Sequence, residues 1–342
     1  MQVAAGLAIS VVCLWLAARG LELAEVGRAL AGAHYLWLLP ALALYFAGVW
    51  VRAVRWHLLL LPVAVLPAAR LFPVVVIGYM ANNVLPARLG EIARCYLLRQ
   101  RDGVPQSAAL ATVLLERVMD GITMLVFMAG ALLFLPFSPG LYRLMGGAAV
   151  LFGGTAVVLV AVATRPALGM RLVAAATRPL PAHIGERVRP LATSFFSGLA
   201  ALGTGEGPSG HGGRGGALLR VGALSGTAWL LEAGMYFTLM YAFPLAPSLP
   251  LAVLTTAVAN LGTLIPSSPG YVGVFDFLGR SVLTQFGVPQ EVALAYILVV
   301  HAALVVPISL LGFGYAAREG GLGWLTRADP RRGAGLSLRG TP

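Results

Sequence analysis

Residues 78–99 read GYMANNVLPARLGEIARCYLLR, and they set Asn, Pro, Arg and Glu inside an otherwise apolar run that begins at Leu71. Polar and ionisable groups are costly in hydrocarbon and persist there against protein or a wet cavity. Pro86 and Gly90 interrupt regular helix at the same place, and broken backbone at membrane depth is tolerated only where it is buried or lines a cavity. The stretch therefore predicts a re-entrant helical hairpin over 71–98, with its tip near residues 83–90 and its function at the tip.

Composition sets the class around this stretch. With 342 residues, 58% hydrophobic and only 11% charged, and a mean hydropathy of +0.84, the chain is too apolar for a soluble domain. The net charge of +11 would suit nucleic acid, but the arginines are spread through short inter-helix loops, as anchoring and topology require, and no nucleic-acid-reading module is present. Cys13 and Cys95 give neither a disulfide framework nor metal-ligand spacing, and His34, His57, His183 and His211 are scattered; no metal and no cofactor is expected. All 24 basic residues are arginine, and the only asparagines are Asn82, Asn83 and Asn260. All three fall in broken polar segments, where a carboxamide can pair with interrupted backbone or a headgroup.

Three motifs carry a resemblance. GYMANNVLPARLGEIARCYLL, then LLERVMDG at 114–121 and ANLGTLIPSSPGYVGVFDF at 259–277, resemble the lysylphosphatidylglycerol synthase transmembrane-region family, a flippase-like domain, over roughly residues 5–315. The resemblance implies a polytopic membrane protein that moves or handles lipids, without naming the lipid.

In chain order, residues 1–18 suggest an uncleaved membrane anchor, since no positive region precedes them. Further spans are expected over 35–51, 118–137, 144–164, 221–243 and 291–313, and a second interrupted segment over 251–285. Residues 165–220, with the Gly-rich piece at 203–216, read as a linker; the G-x-G-x-x-G at 205–210 lacks the strand and helix a nucleotide site needs. Assigning the Arg-rich loops 52–70, 86–106 and 165–220 and the tail 315–342 to the cytoplasm leaves both termini cytoplasmic at the plasma (inner) membrane. The expected fold is an all-α polytopic membrane protein, a single transmembrane domain with halves 1–164 and 221–314. It would have about six spanning helices plus two re-entrant hairpins, 71–98 and 251–285, arranged as an inverted repeat. P-A-R-L-G at 86–90 and P-G-Y-V-G at 269–273 share Pro and Gly at one spacing, each followed by an acid, Glu91 and Asp276. Paired interrupted segments in inverted halves point to a substrate site at the bilayer midplane.

The headgroup candidates are Asn82, Asn83, Pro86, Arg88 and Glu91 in the first hairpin, and Asn260, Ser267, Ser268, Tyr271 and Asp276 in the second. Arg88 suits a lipid phosphate because its planar fork donates two parallel hydrogen bonds, although Arg88 and Glu91 could simply neutralise each other. Glu116, Arg117 and Asp120 share a helical face: a solvated membrane edge, or an ion pair to the first hairpin. Glu232 lies mid-span with no charge near it in sequence and reads either as helix packing or as a coupling acid. Ser267, Ser268 and Tyr271 are close enough in sequence to satisfy Asp276, and His301 reads as a core histidine or a proton relay.

No P-loop, nucleophile elbow or H-E-x-x-H is present, and the 28 residues after Gly314 cannot hold an aminoacyl-transfer domain, so enzymatic activity is not expected. The expected function is a lipid transporter acting on membrane lipids, anionic or polyprenyl-linked, by alternating access. The alternative is an accessory scaffold for a lipid-modifying or glycosyl-transferring partner enzyme of the cell envelope or a hopanoid pathway. The sequence leaves the oligomeric state, lipid, direction and coupling ion open.

Overall fold

The computed structural model describes residues 2–85, 88–178, 193 and 214–318. Pro86 and most of the Gly-rich piece, the predicted linker and the tail lie outside them. Among the described residues every regular element is helical. Helix α1 (Gln2–Ala18) turns through 84° into α2 (Leu23–Ala31), and a 3-10 turn at Tyr35–Trp37 leads into α3 (Leu38–Leu60). Then come α4 (Ala68–Val84), α5 (Leu89–Asp102), α6 (Gln106–Leu132), α7 (Pro139–Thr164) and α8 (Pro166–Thr177). The second half holds α9 (Arg214–Met240), α10 (Leu249–Gly262), α11 (Val274–Gln285) and α12 (Gln290–Arg318).

Helices α4 and α5 fold back on each other as an antiparallel pair. The Arg70 guanidinium meets the Asp102 carboxylate at 2.5 Å at the open end, and the Gly90 N–H donates to Asn82 Oδ1 at 2.9 Å near the tip. Extended backbone at Leu85 (ψ 145) and left-handed backbone at Arg88 (φ 55) make the break. Gly90 does not break the helix as its residue type suggests. It sits in the first turn of α5, where a Cβ would collide with the Gly78 carbonyl oxygen, so glycine here serves close helix approach.

Helices α10 and α11 are joined by a loop whose 3-10 turn, Pro269–Tyr271, carries left-handed backbone at Gly270 and Tyr271. Asp276 starts α11 by accepting the Gly273 N–H at 2.9 Å. Helices α7 and α10 both begin with a serine, Ser138 or Ser248, whose Oγ accepts from the N–H three residues on.

Helix α3 lies along α9, with Gly48 against the Ala228 carbonyl. Helix α12 packs on α4, with Gly312 against Met80, and α10 packs on α6. Helix α1 covers α11: Arg280 donates to the carbonyls of Leu16 and Ala17, and the Ser268 N–H donates to Ser10 Oγ at 2.8 Å. The largest apolar cluster joins both halves, with Trp56, Tyr236, Tyr296 and Met128 fully enclosed.

Among the described residues three helical segments are long and apolar enough to cross a membrane, Tyr35–Leu60, Pro139–Val162 and Gln290–Arg318, or four if the bent pair at the N-terminus counts as one span. This is fewer than the six expected. Helices α6 and α9 have 27 residues each, about 40 Å at the usual rise, but the acids Glu116, Asp120 and Glu232 within them lower their hydropathy. The span expected over 35–51 runs on to Leu60, so Arg52 and Arg55 are not loop cations. They lie inside α3, and Arg55 is 1% exposed.

Candidate functional site

The break in the first hairpin and the turn of the second bring their polar residues to one open cavity. Asn82 and Asn83 end α4 and Arg88 precedes α5; Asn260 and Thr263 close α10, with Gly270, Tyr271 and Phe275 following. Tyr45 and Arg52 of α3, Tyr79 of α4, Arg117 of α6, Trp229 and Glu232 of α9, and His301 and Leu304 of α12 complete most of the wall.

Left-handed backbone is uncommon for residues with a side chain. Arg88 (φ 55) and Tyr271 (φ 61) are the two such residues described, and each is the third residue of its Pro-x-x-x-Gly motif. The Arg88 guanidinium lies over the Tyr271 ring, 5.4 Å from the centroid, and also donates to Thr263 Oγ1. The two tips therefore touch each other through the cavity-lining residues.

A ring of polar contacts runs around this cavity. From Thr263 it passes to the Asn260 carbonyl at 2.7 Å, and the Asn260 carboxamide donates to Glu232 Oε1 at 3.1 Å. Glu232 Oε2 accepts from Arg52 at 2.7 Å, and Arg52 lies over the Trp229 ring at 4.5 Å. Trp229 Nε1 donates to Asp120 at 2.8 Å, and Asp120 meets Arg117 at 3.2 Å. Arg117 Nε and Arg88 Nη1 then face Glu91 Oε1 at 3.6 and 3.9 Å, which closes the ring. Behind it Arg55 donates to Asp120 and to Ser225, and Arg94 donates to Glu116 while lying over Trp56. A charge kept in a low-dielectric interior needs such pairing, because removing one partner leaves the other buried alone.

Glu116 and Asp120 are buried against protein and Arg117 lines the cavity; Glu116 and Arg117 face Arg94 and Glu91 of the first hairpin, the ion-pair alternative given for this face. Glu232, isolated in sequence, has a partner 180 residues away. Asp276 and His301 also meet: His301 Nδ1 is 2.8 Å from Asp276 Oδ1, and its Nε2 is 2.7 Å from the Gly270 carbonyl. The serines and tyrosine expected to satisfy Asp276 do not. Its described partners are His301 and the Gly273 N–H, while Ser268 Oγ points back to the Pro269 and Val272 carbonyls. Ser267, Ser268, Glu91 and Asp276 are not among the residues that line the cavity. Asn83 lines it and reaches Ser309 at 3.0 Å.

Tyr45, Arg52, Tyr79, Trp229 and Thr263 line the cavity without having been singled out from the sequence. The signal for Arg52 was available. Arg52 and Arg55 are three apart in an apolar run that continues through HLLLLPVAV, so a helix extending past them was legible.

The family model described as the lysylphosphatidylglycerol synthase TM region matches residues 3–312. The chain belongs to this family. It is an integral membrane protein, and the match covers both hairpins and every described helix except the start of α1 and the end of α12. The chain is also 25% identical, over 305 residues, to a protein of Haloferax volcanii named Glycosyltransferase AglD, covering 81% of this chain. That alignment takes in 47% of the relative, so the chain spans about half the length of the curated relative it matches. No solved structure matches the chain.

Proposed function

We propose that this chain moves an anionic phospholipid or polyprenyl-linked lipid between membrane leaflets, with the two hairpin tips forming the headgroup site. The observation that carries the reading is the shared cavity. Among the described residues three guanidiniums, Arg52, Arg88 and Arg117, line it, and the one lining carboxylate, Glu232, is already taken by Arg52. A wall of that chemistry suits a phosphate-bearing headgroup.

The helix packing supports an inverted repeat, with α3–α6 matched to α9–α12. Helix α3 pairs with its counterpart α9, α4 packs on α12 as α10 packs on α6, and the left-handed residues Arg88 and Tyr271 occupy equivalent places. On this reading α6 and α9 also cross the bilayer, their acids paired inward, and the hairpins enter from opposite sides. Alternating access then exposes the headgroup site to each leaflet in turn. The Arg-rich segments put both termini in the cytoplasm of the inner (plasma) membrane.

The scaffold reading is favoured by one observation: a relative about twice as long as the aligned part carries a glycosyltransferase name. A scaffold needs a docking surface and no cavity chemistry. Leaflet-specific translocation of labelled phosphatidylglycerol and of a polyprenyl phosphate in proteoliposomes separates the two. Transport above that of empty liposomes supports the first; none for either lipid, with folded protein, removes it.

A further inference from the structure

Among the acids of the polar ring, Glu91 is the one whose ion pairs are both loose. There Arg117 Nε and Arg88 Nη1 face the same carboxylate oxygen, Oε1, at 3.6 and 3.9 Å, both beyond hydrogen-bond reach. Arg88 Nε, Arg117 Nε and Glu91 Oε1 are all buried atoms without a hydrogen-bond partner. Across the cavity the comparable pair, Arg52 and Glu232, closes to 2.7 Å with Asn260 on the second oxygen. Charged donors without a close acceptor favour an anion whose oxygens are better placed to take their hydrogen bonds.

The arrangement also fixes what kind of anion fits. Two guanidiniums arrive from different elements, Arg88 from the hairpin break and Arg117 from α6, and converge on one oxygen. Glu91, at the third position of α5, stands between both forks without closing to hydrogen-bond distance of either. A tetrahedral phosphate offers several oxygens in different directions and can take hydrogen bonds from both. Asp120 holds Arg117 only through Nη2, at 3.2 Å from its Oδ2, while Arg55 and the Trp229 indole share its Oδ1, so the Arg117 Nε that faces Glu91 is left for a further anion.

We infer that Arg88 and Arg117 form a two-pronged phosphate clamp, in which Glu91 is a resident stand-in that the incoming phosphate displaces. This rests on the headgroup reading of the cavity and sharpens it. Glu91 becomes a competitor for the site, so removing its charge strengthens binding of a phosphate ester.

The test is calorimetric titration of the full chain in maltoside micelles, which contain no phosphate, with inorganic phosphate and with a short-chain phosphatidylglycerol as separate probes. Glu91→Gln is expected to tighten binding of at least one probe severalfold, and Arg117→Gln to weaken it by roughly tenfold. Arg117→Lys is the second variant, in case loss of the charge beside Asp120 prevents folding, and melting curves report on each. Phosphate bound while the lipid is excluded keeps the clamp and removes the lipid-headgroup reading. Weaker or unchanged binding in a folded Glu91→Gln protein, or no binding of either probe to the unaltered chain, overturns the clamp.

Discussion

The guanidinium of Arg88 stacks over the ring of Tyr271, 5.4 Å from its centroid, and joins the tips of two hairpins that lie 183 positions apart in the chain. Both residues hold left-handed backbone, at φ 55 and 61, which turns each side chain off its helix face and toward the other. The contact makes the transport reading testable at one residue.

Arg88→Lys keeps the charge but loses the planar fork, so it should lose most lipid translocation in proteoliposomes if the fork grips phosphate. The double change Arg88→Gln with Glu91→Gln should remain impaired, since Glu91 is 3.9 Å away and is no tight partner. Near-normal transport by the double variant would refute the phosphate role.

The Arg52–Glu232 pair sets a different expectation for Glu232→Gln than its isolation in sequence suggests. With Arg52 only 4% exposed, neutralising Glu232 leaves a buried cation without its acid, a loss of about 3–5 kcal/mol for such pairs. Chemical unfolding in detergent should show the double variant Arg52→Gln with Glu232→Gln to be less destabilised than the two single losses added together. Additive losses would assign each residue to packing of its own.

Two glycines should respond in opposite directions to alanine. At Gly90 the new Cβ meets the Gly78 carbonyl and the Asn82 side chain, so Gly90→Ala should destabilise by roughly 1–3 kcal/mol or more. At Gly130, on an open face of α6, nothing stands within 4 Å, so Gly130→Ala should be neutral or stabilising by up to about 1 kcal/mol. Melting temperatures of the two variants check this directly.

Topology is tested by labelling intact cells, with Cys13 replaced by serine and the buried Cys95 retained. A cysteine at Ser248, the cap of α10, should react with membrane-impermeant thiol reagents, and one at Ser209 should not. The reverse pattern would exchange the sides from which the hairpins enter.

Much of this protein was legible one segment at a time. Hydropathy marks a membrane chain because apolar length is a local property. Leu85 through Gly90 announces its break because proline and charge disturb a helix where they stand. Asn82, Asn83, Arg88, Asn260, Tyr271, Glu232 and His301 could be singled out for the same reason, as polar groups whose cost in lipid demands an explanation, and all of them line one cavity. What the explanation was, only the tertiary structure decided. Arg52 and Arg55 read as loop cations because a charge within a span looks prohibitive in isolation. Their acids, Glu232 and Asp120, lie 180 and 65 residues away on other helices, and it is that pairing which lets the charges stay inside.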